Sequence, residues 1–225
     1  MIGKLRDGLA TFIFTLAIAV LTITFSIGLP IYVRDVYYAH IPVVQDQVEY
    51  YTDVRVEESV IVEAYDEVLD YLTLPDREFG AGILPYSEEG KGHFEDCKVL
   101  FDLNRNAFLI SLAVIIILFV WDKCDIVHLV KMRGLSATFW AGAGTLGIFA
   151  TIGALAATDF QRAFTIFHKL FFPGKDNWMF NPYTDPIILF MPIEFFMNCA
   201  VTICLSILTV SAVHMIIGSI RKNDS

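Results

Sequence analysis

The chain has 225 residues, of which 56% are apolar and 18% charged, with a formal net charge of −9. The apolar residues fall in a few long blocks instead of the alternation of a water-soluble core, which points to a membrane protein built as a single unit. The charge is local: 17 of the 25 acids lie between Pro30 and Arg105, against six basic residues, and so acidic a surface repels phosphate and excludes nucleic acid as a partner.

The first apolar block, about residues 9–29, follows the short basic start Lys4 and Arg6. It is longer than a signal-peptide core, so it reads as a retained anchor that Pro30 ends. Residues 30–100 form a polar segment. Its early part, with Tyr37, Tyr38, Tyr50, Tyr51 and a valine-rich alternation, predicts short strands or irregular chain lying on the membrane. Val60, Ala64, Val68 and Leu72 recur every fourth position with acids between them, which predicts an amphipathic helix. Pro75, Gly80, Gly82, Pro85 and Gly90 then punctuate a loop. A new helix is expected to start close to His93 and to run past Asn104 into the second block, about residues 101–121.

The loop that follows carries Lys123, Lys131 and Arg133. The third block, about residues 135–157, holds Gly142, Gly144, Gly147 and Gly153, and the small pairs Ala143/Gly147 and Gly153/Ala157 suit close helix contact in lipid. A loop over residues 158–189 leads to the fourth block, about residues 190–217, where Pro192 predicts a short interfacial turn before the spanning helix. Basic residues at the start, in the middle loop and at the end (Arg221, Lys222) fall on one side of this arrangement. The positive-inside rule then places both termini in the cytoplasm and the acidic segment outside. The expected fold is an all-α polytopic membrane protein of four transmembrane helices, with an extracytoplasmic, partly helical segment between the first and second.

The four cysteines form neither a disulfide framework nor a metal site. Cys199 and Cys204 sit in an apolar run, Cys124 follows another, Cys97 stands alone, and no Cys-x-x-Cys or zinc-spaced Cys/His cluster occurs. The sequence also lacks a Gly-x-Ser-x-Gly elbow and a His-Glu-x-x-His helix, which disfavours a serine hydrolase or a zinc protease. Cys97 is a conceivable nucleophile, placed on the helix face opposite much of the polar surface.

The topology sorts the five histidines. His40, His128 and His214 read as solvent-facing or structural. His93 and His168 both map to the outer membrane edge, where an imidazole can take and return a proton near neutral pH. Asp96 is placed to orient His93. Lys98, Arg162 and Lys169 are candidates for binding a phosphate or carboxylate at the interface or for polarising a carbonyl, against simple snorkelling to lipid. Glu194, an acid at the rim of a span, is expected to have a basic or histidine partner. Phe164 and Trp178 surround His168 as an acyl-chain groove or as part of an aromatic belt.

These residues resemble a known family. Tyr65 to Leu72, Pro85-Tyr86-Ser87-Glu88, His93-Phe94-Glu95-Asp96-Cys97-Lys98-Val99-Leu100-Phe101, then Phe167-His168-Lys169-Leu170-Phe171-Phe172-Pro173-Gly174, Trp178, Phe180, Asp185 and Pro192-Ile193-Glu194-Phe195-Phe196 look like the four-span lipoprotein intramolecular transacylases of Gram-positive bacteria. The resemblance covers most of the chain. Cys97 departs from it, standing where an aliphatic residue is expected.

The resemblance implies an acyltransferase that moves the sn-2 acyl chain of a diacylglyceryl-cysteine to that cysteine's α-amine, giving an N-acyl lyso-form lipoprotein. It carries the family's histidines over to His93 and His168, and Asp96 and Lys98 follow the family pattern. The implied partners are a diacylated lipoprotein N-terminus and membrane lipids. Neither a nucleotide nor a metal cofactor is required. Either histidine can be the base, with the other or Arg162 facing the oxyanion, and a transient acyl-histidine is a further route. A non-enzymatic membrane protein that binds lipoproteins or partner helices, or a lipid hydrolase on the same scaffold, are the alternatives. The first predicts that His93 and His168 lie apart, the transacylase that they converge.

Overall fold

The computed structural model describes residues 2–220. The basic pair Arg221 and Lys222 lies outside the described residues. Nine α-helices occur among those described: α1 (Ile2–Tyr32), α2 (Asp35–Tyr38), α3 (Ile41–Thr52), α4 (Glu58–Thr73), α5 (Glu88–Lys123), α6 (Ala137–Thr158), α7 (Phe160–Phe171), α8 (Ile187–Phe190) and α9 (Ile193–Ser219). Four of them, α1, α5, α6 and α9, are long and apolar enough to cross a membrane. At 1.5 Å per residue, α5 with its 36 residues extends about 54 Å, well beyond a hydrocarbon core of about 30 Å. Four of its six acids, Glu88, Glu89, Glu95 and Asp96, fall in its first turns.

The chain divides into two compact units. One comprises the described parts of Met1–Gly28, Asn104–Leu155 and Ile203–Ser225. Its apolar core includes Phe14, Ile18, Leu118, Val127 and Ala141. The hydroxyls of Thr11, Thr15, Thr22 and Ser26 each donate to the carbonyl four residues earlier, which satisfies them inside an apolar helix. Polar pairs join helices of this unit: Ser26 with Ser206 at 3.0 Å and Thr22 with His214 Nδ1 at 3.4 Å, both between α1 and α9. Close contact of α6 with α9 occurs at Gly142, where a Cβ would strike the Ser211 carbonyl, and at Gly218 against Phe139, while Gly144 and Gly147 face open space. Of the small pairs read from the sequence, Gly153 does approach α9, where a Cβ would meet the Cys204 sulfur at 3.6 Å, whereas Gly147 does not.

The other unit comprises Leu29–Leu103 and Ala156–Thr202. Its core is the apolar face of α4: Ile61, Ala64, Tyr65, Val68, Leu69 and Leu72 are all buried against Val44 and Val48 of α3 and against Phe94, Ile187, Phe190 and Phe195. Each large apolar side chain so placed contributes about 1.5–3 kcal/mol. Tyr65 buries its ring and donates its hydroxyl to the Phe190 carbonyl, so the polar end of the largest core residue is satisfied. Arg34 bridges Asp66 and Asp70 on the polar side of α4, and the Tyr38 hydroxyl donates to Asp66 at 2.6 Å.

Several expectations change. The early polar segment forms α2 and α3, not strands: Pro42 falls in the first turn of α3, and Ile41, Val44 and Val48 recur at helical spacing and are buried. Pro30 does not end the first helix but sits in its last turns, and Val33 still donates to the Leu29 carbonyl at 3.0 Å. The stretch after α6 is not a loop throughout, because residues 160–171 form α7. The short turn expected before the last span is α8, set off from α9 by Pro192.

Candidate active site

The acidic unit carries both predicted histidines. His93 is in the second turn of α5, and the start of that helix is held by side chains. The Ser87 hydroxyl accepts from the Gly90 N–H at 2.9 Å, an N-cap. Asp185, only 4% exposed, accepts in turn from the Ser87 N–H at 2.8 Å, the Ser87 hydroxyl at 2.9 Å and the Thr184 hydroxyl at 2.6 Å. A carboxylate at a helix N-terminus is favoured by the backbone dipole as well. Gly90 is the residue that lets it approach, since a Cβ there would collide with the Asp185 carboxylate and the Phe180 ring.

His168 is in the last turn of α7. That helix starts at Asp159, whose side chain accepts from the Arg162 N–H at 2.9 Å. His168 Nδ1 lies 2.8 Å from the Phe164 carbonyl. A carbonyl can only accept, so Nδ1 carries the proton and the lone pair of the neutral ring is on Nε2. The imidazole is sandwiched by the Phe164 ring at 4.2 Å and the Trp178 indole at 4.6 Å between centroids.

The two imidazoles meet. Their ring centroids are 5.8 Å apart, and each is almost fully enclosed, His93 at 6% and His168 at 7% exposure. Phe172 packs on both rings, and Phe180 lies 5.5 Å from His93. Burial pulls the His168 pKa below the ordinary histidine value, with the Phe164 carbonyl opposing in part. His93 Nε2 is 3.5 Å from the Cys97 sulfur, one turn on, and its Nδ1 is buried without a hydrogen-bond partner among the described residues.

The other predicted residues separate. Asp96 accepts from Lys175 Nζ and, at 3.3 Å, from the Asn177 amide. It thus ties the loop after α7 to α5, and its hydrogen bonds do not go to His93. Lys98 is engaged elsewhere: its Nζ donates to the carbonyls of Tyr71 and Leu74 and lies 4.4 Å from the Tyr71 ring centre, which caps the end of α4. Arg162 and Lys169 are exposed on α7. Glu194 is also exposed; it lines, with Phe160, Gln161, Ile193 and Met197, a cavity of about 230 Å³. Phe164 and Trp178 are the predicted binding residues that do touch His168. His40 is structural and not solvent-facing: it is buried and bonded to the Val36 carbonyl and the Asn198 amide, both at 2.8 Å.

Sequence reasoning gave no role to Asn177 or Lys175, and knew Asp185 only through the family resemblance. Their partners lie far off in the chain, and no local spacing reveals them. The run Lys175-Asp176-Asn177-Trp178, polar groups beside an aromatic after Gly174, was the available signal.

The chain matches the family model for the lipoprotein intramolecular transacylase Lit over residues 12–196. It is similar to the solved structure of the membrane integral lipoprotein intramolecular transacylase Lit from Bacillus cereus, at 25% identity and a TM-score of 0.82 over 94% of this chain and 93% of that one. Two forms of the same bacterial protein, with one histidine replaced by arginine or by alanine, are 24% identical with TM-scores of 0.75, covering 94% of this chain and 89% and 91% of theirs. No curated protein matches the chain. Four apolar helices, two histidine motifs and a family match that contains both establish that this chain belongs to the lipoprotein intramolecular transacylase family Lit, a family of multi-pass membrane acyltransferases.

Proposed function

We propose that His93 and His168 together catalyse transfer of the sn-2 acyl chain of a diacylglyceryl-cysteine to that cysteine's α-amine. The observation that carries this reading is their convergence: two imidazoles from separate helices, 5.8 Å apart, in one aromatic enclosure. Their separation favours the transacylase over a binding protein that has no use for paired histidines.

The tautomer of His168 supports its part as the base. Its Nε2 lone pair takes the proton shed by the amine as nitrogen attacks the ester carbonyl, and then gives it to the glyceryl oxygen. His93, with the Cys97 thiol donating to Nε2, presents Nδ1–H to the oxyanion. Arg162, exposed on α7, is not needed for that role. Donor and acceptor are already tethered in the substrate, so the protein supplies orientation and keeps water away. Phe164, Phe172, Trp178 and Phe180 do both, because an apolar wall excludes the competing nucleophile and accommodates acyl chains.

The same reading gives the topology. Spans at about residues 9–29, 101–121, 135–157 and 190–217 leave Lys4, Arg6, Lys123, Lys131 and Arg133 at one membrane face and the acidic residues of 30–100 at the other. Both termini are then cytoplasmic and the histidine pair faces the outer leaflet. Arg162, Lys169 and Glu194 are placed to meet headgroups or the peptide that follows the lipidated cysteine.

The test is expression with one defined diacylated lipoprotein and mass spectrometry of its N-terminal peptide. Conversion to the N-acyl lyso form, at unchanged mass and with loss of the free amine, is expected. It should disappear in His93→Ala and His168→Ala. Full conversion in both variants would end the proposal.

A further inference from the structure

Two polar atoms of the acidic unit are buried without a partner among the described residues beside the histidines: His93 Nδ1 and Asn177 Oδ1. Asn177 packs against the stretch of α5 that bears His93. The Asn177 amide nitrogen is 3.7 Å from where a Cβ of Gly92 would stand and 3.3 Å from the Asp96 carboxylate, that is, against the residues one before and three after His93 on α5. The next residue, Trp178, is stacked on His168. Asn177 therefore lies where both histidine-bearing helices meet the loop after α7.

The orientation of this amide is fixed by chemistry. A carboxylate accepts only, so the NH₂ end must face Asp96 and the carbonyl end must face away. Lys175, bonded to the other Asp96 oxygen, holds the same loop in place. A buried amide oxygen left without a donor is disfavoured by about 1–3 kcal/mol, a penalty a bare packing role does not explain. An amine donor relieves it.

We infer that Asn177 is the acceptor that binds the α-amine of the lipoprotein cysteine and aims its lone pair at the ester. This rests on the transacylase reading above. A neutral primary amine has two hydrogens and one lone pair. One hydrogen goes to Asn177 Oδ1 and the other to His168 Nε2, which leaves the lone pair directed at the carbonyl carbon. The C–N bond forms as the sn-2 C–O bond breaks, and the hydrogen held by His168 passes to the glyceryl oxygen. The hydrogen on Asn177 stays with the new amide. No other reactant is consumed.

The inference is tested in proteoliposomes of the full chain with a diacylated lipopeptide bearing either a free or an N-methylated α-amine. N-Methylation removes one of the two hydrogens. The unaltered enzyme is expected to transfer to the primary amine at least about tenfold faster than to the methylated one. Asn177→Leu should lower kcat on the primary amine by about 10- to 100-fold with little change in KM, and the two amines should then differ far less. Asn177→Gln, which keeps both the amide donor and the acceptor, should keep the discrimination. If Asn177→Leu does not fold, Asn177→Ser, too short to reach the amine, takes its place. An unchanged rate, or unchanged discrimination between the amines, overturns the inference. No N-acyl product from the unaltered enzyme would instead overturn the transacylase reading itself, and full activity in both His93→Ala and His168→Ala would overturn the catalytic pair on which the inference rests.

Discussion

Asp185 grips Ser87 twice, through its backbone N–H and its hydroxyl, across 98 residues of sequence, and so fixes the start of the helix that carries His93. The contact joins the loop after α7 to α5 at one end, as Asp96 with Lys175 and Asn177 joins them two turns further on. Between these two ties lies His93. The pair of imidazoles is held by polar ties between α5 and the loop after α7, by the Phe164 ring on α7 and by Phe172, Trp178 and Phe180 beyond it, so its geometry depends on that loop staying docked.

Asp185→Ala should therefore strip the Ser87 cap and leave buried donors without a partner. The expected loss is about 2–3 kcal/mol, read as a fall in Tm of about 5–10 °C in detergent. Gly90→Ala should act in the same direction, because its Cβ occupies the space of the Asp185 carboxylate. A Tm within 1–2 °C of the parent in both variants (roughly 0.5 kcal/mol) would show that this tie is dispensable.

Transfer should depend on pH through two groups, the substrate's α-amine and His168, both of which must be unprotonated. The amine titrates near about 8. Burial lowers the His168 pKa from 6.5, so its limb lies below that value. The log of kcat/KM should rise with a slope of about 2 at acidic pH and about 1 up to the amine pKa. The break between them is expected below pH 6.5; a break above it would contradict a buried base. Folding shares the sign: because the folded His168 binds its proton less readily than the unfolded chain, its contribution to stability is present above 6.5 and is lost as pH falls towards its folded pKa.

The parts of this structure that sequence made legible are those with a local period. The four long apolar helices, and α4 with Ala64, Val68 and Leu72 buried on one face, follow from spacing alone. α3 was obscured because its β-branched and tyrosine residues favour strands, although Ile41, Val44 and Val48 satisfy a helical face. α7 was obscured because Arg162, His168 and Lys169 made an amphipathic helix look like a polar loop, while Phe160, Phe164, Phe167 and Phe171 kept helical spacing. At the site, the two histidines could be found because each stands beside an apolar block. Asp185 and Asn177 could not, since their partners are 98 and 81 positions away.

Lys98 separates stability from catalysis. It lies in the same motif as His93, yet its ammonium serves the carbonyls at the end of α4 and the face of Tyr71. Lys98→Ala should lower stability by about 1–2 kcal/mol and leave transfer per folded molecule within about twofold (about 0.4 kcal/mol in the barrier). A tenfold fall in kcat with an unchanged Tm would mean that the lysine does reach the substrate.

Cys97 presents the sharpest choice, because a thiol 3.5 Å from an imidazole nitrogen is also the arrangement of an activated nucleophile. The geometry argues for a lesser role. A thiolate forms where cationic or exposed polar surroundings favour it, whereas Cys97 packs against the apolar core of this unit with Phe94, Phe101 and Cys199 near it. Its sulfur then acts as a weak donor that sets which nitrogen of His93 holds the proton. Cys97→Val, close in volume and without a donor, is expected to slow transfer by no more than about tenfold. An obligatory acyl-thioester would make the same variant lose at least about a thousandfold, and would leave a cysteine peptide heavier by one acyl group in a quenched reaction.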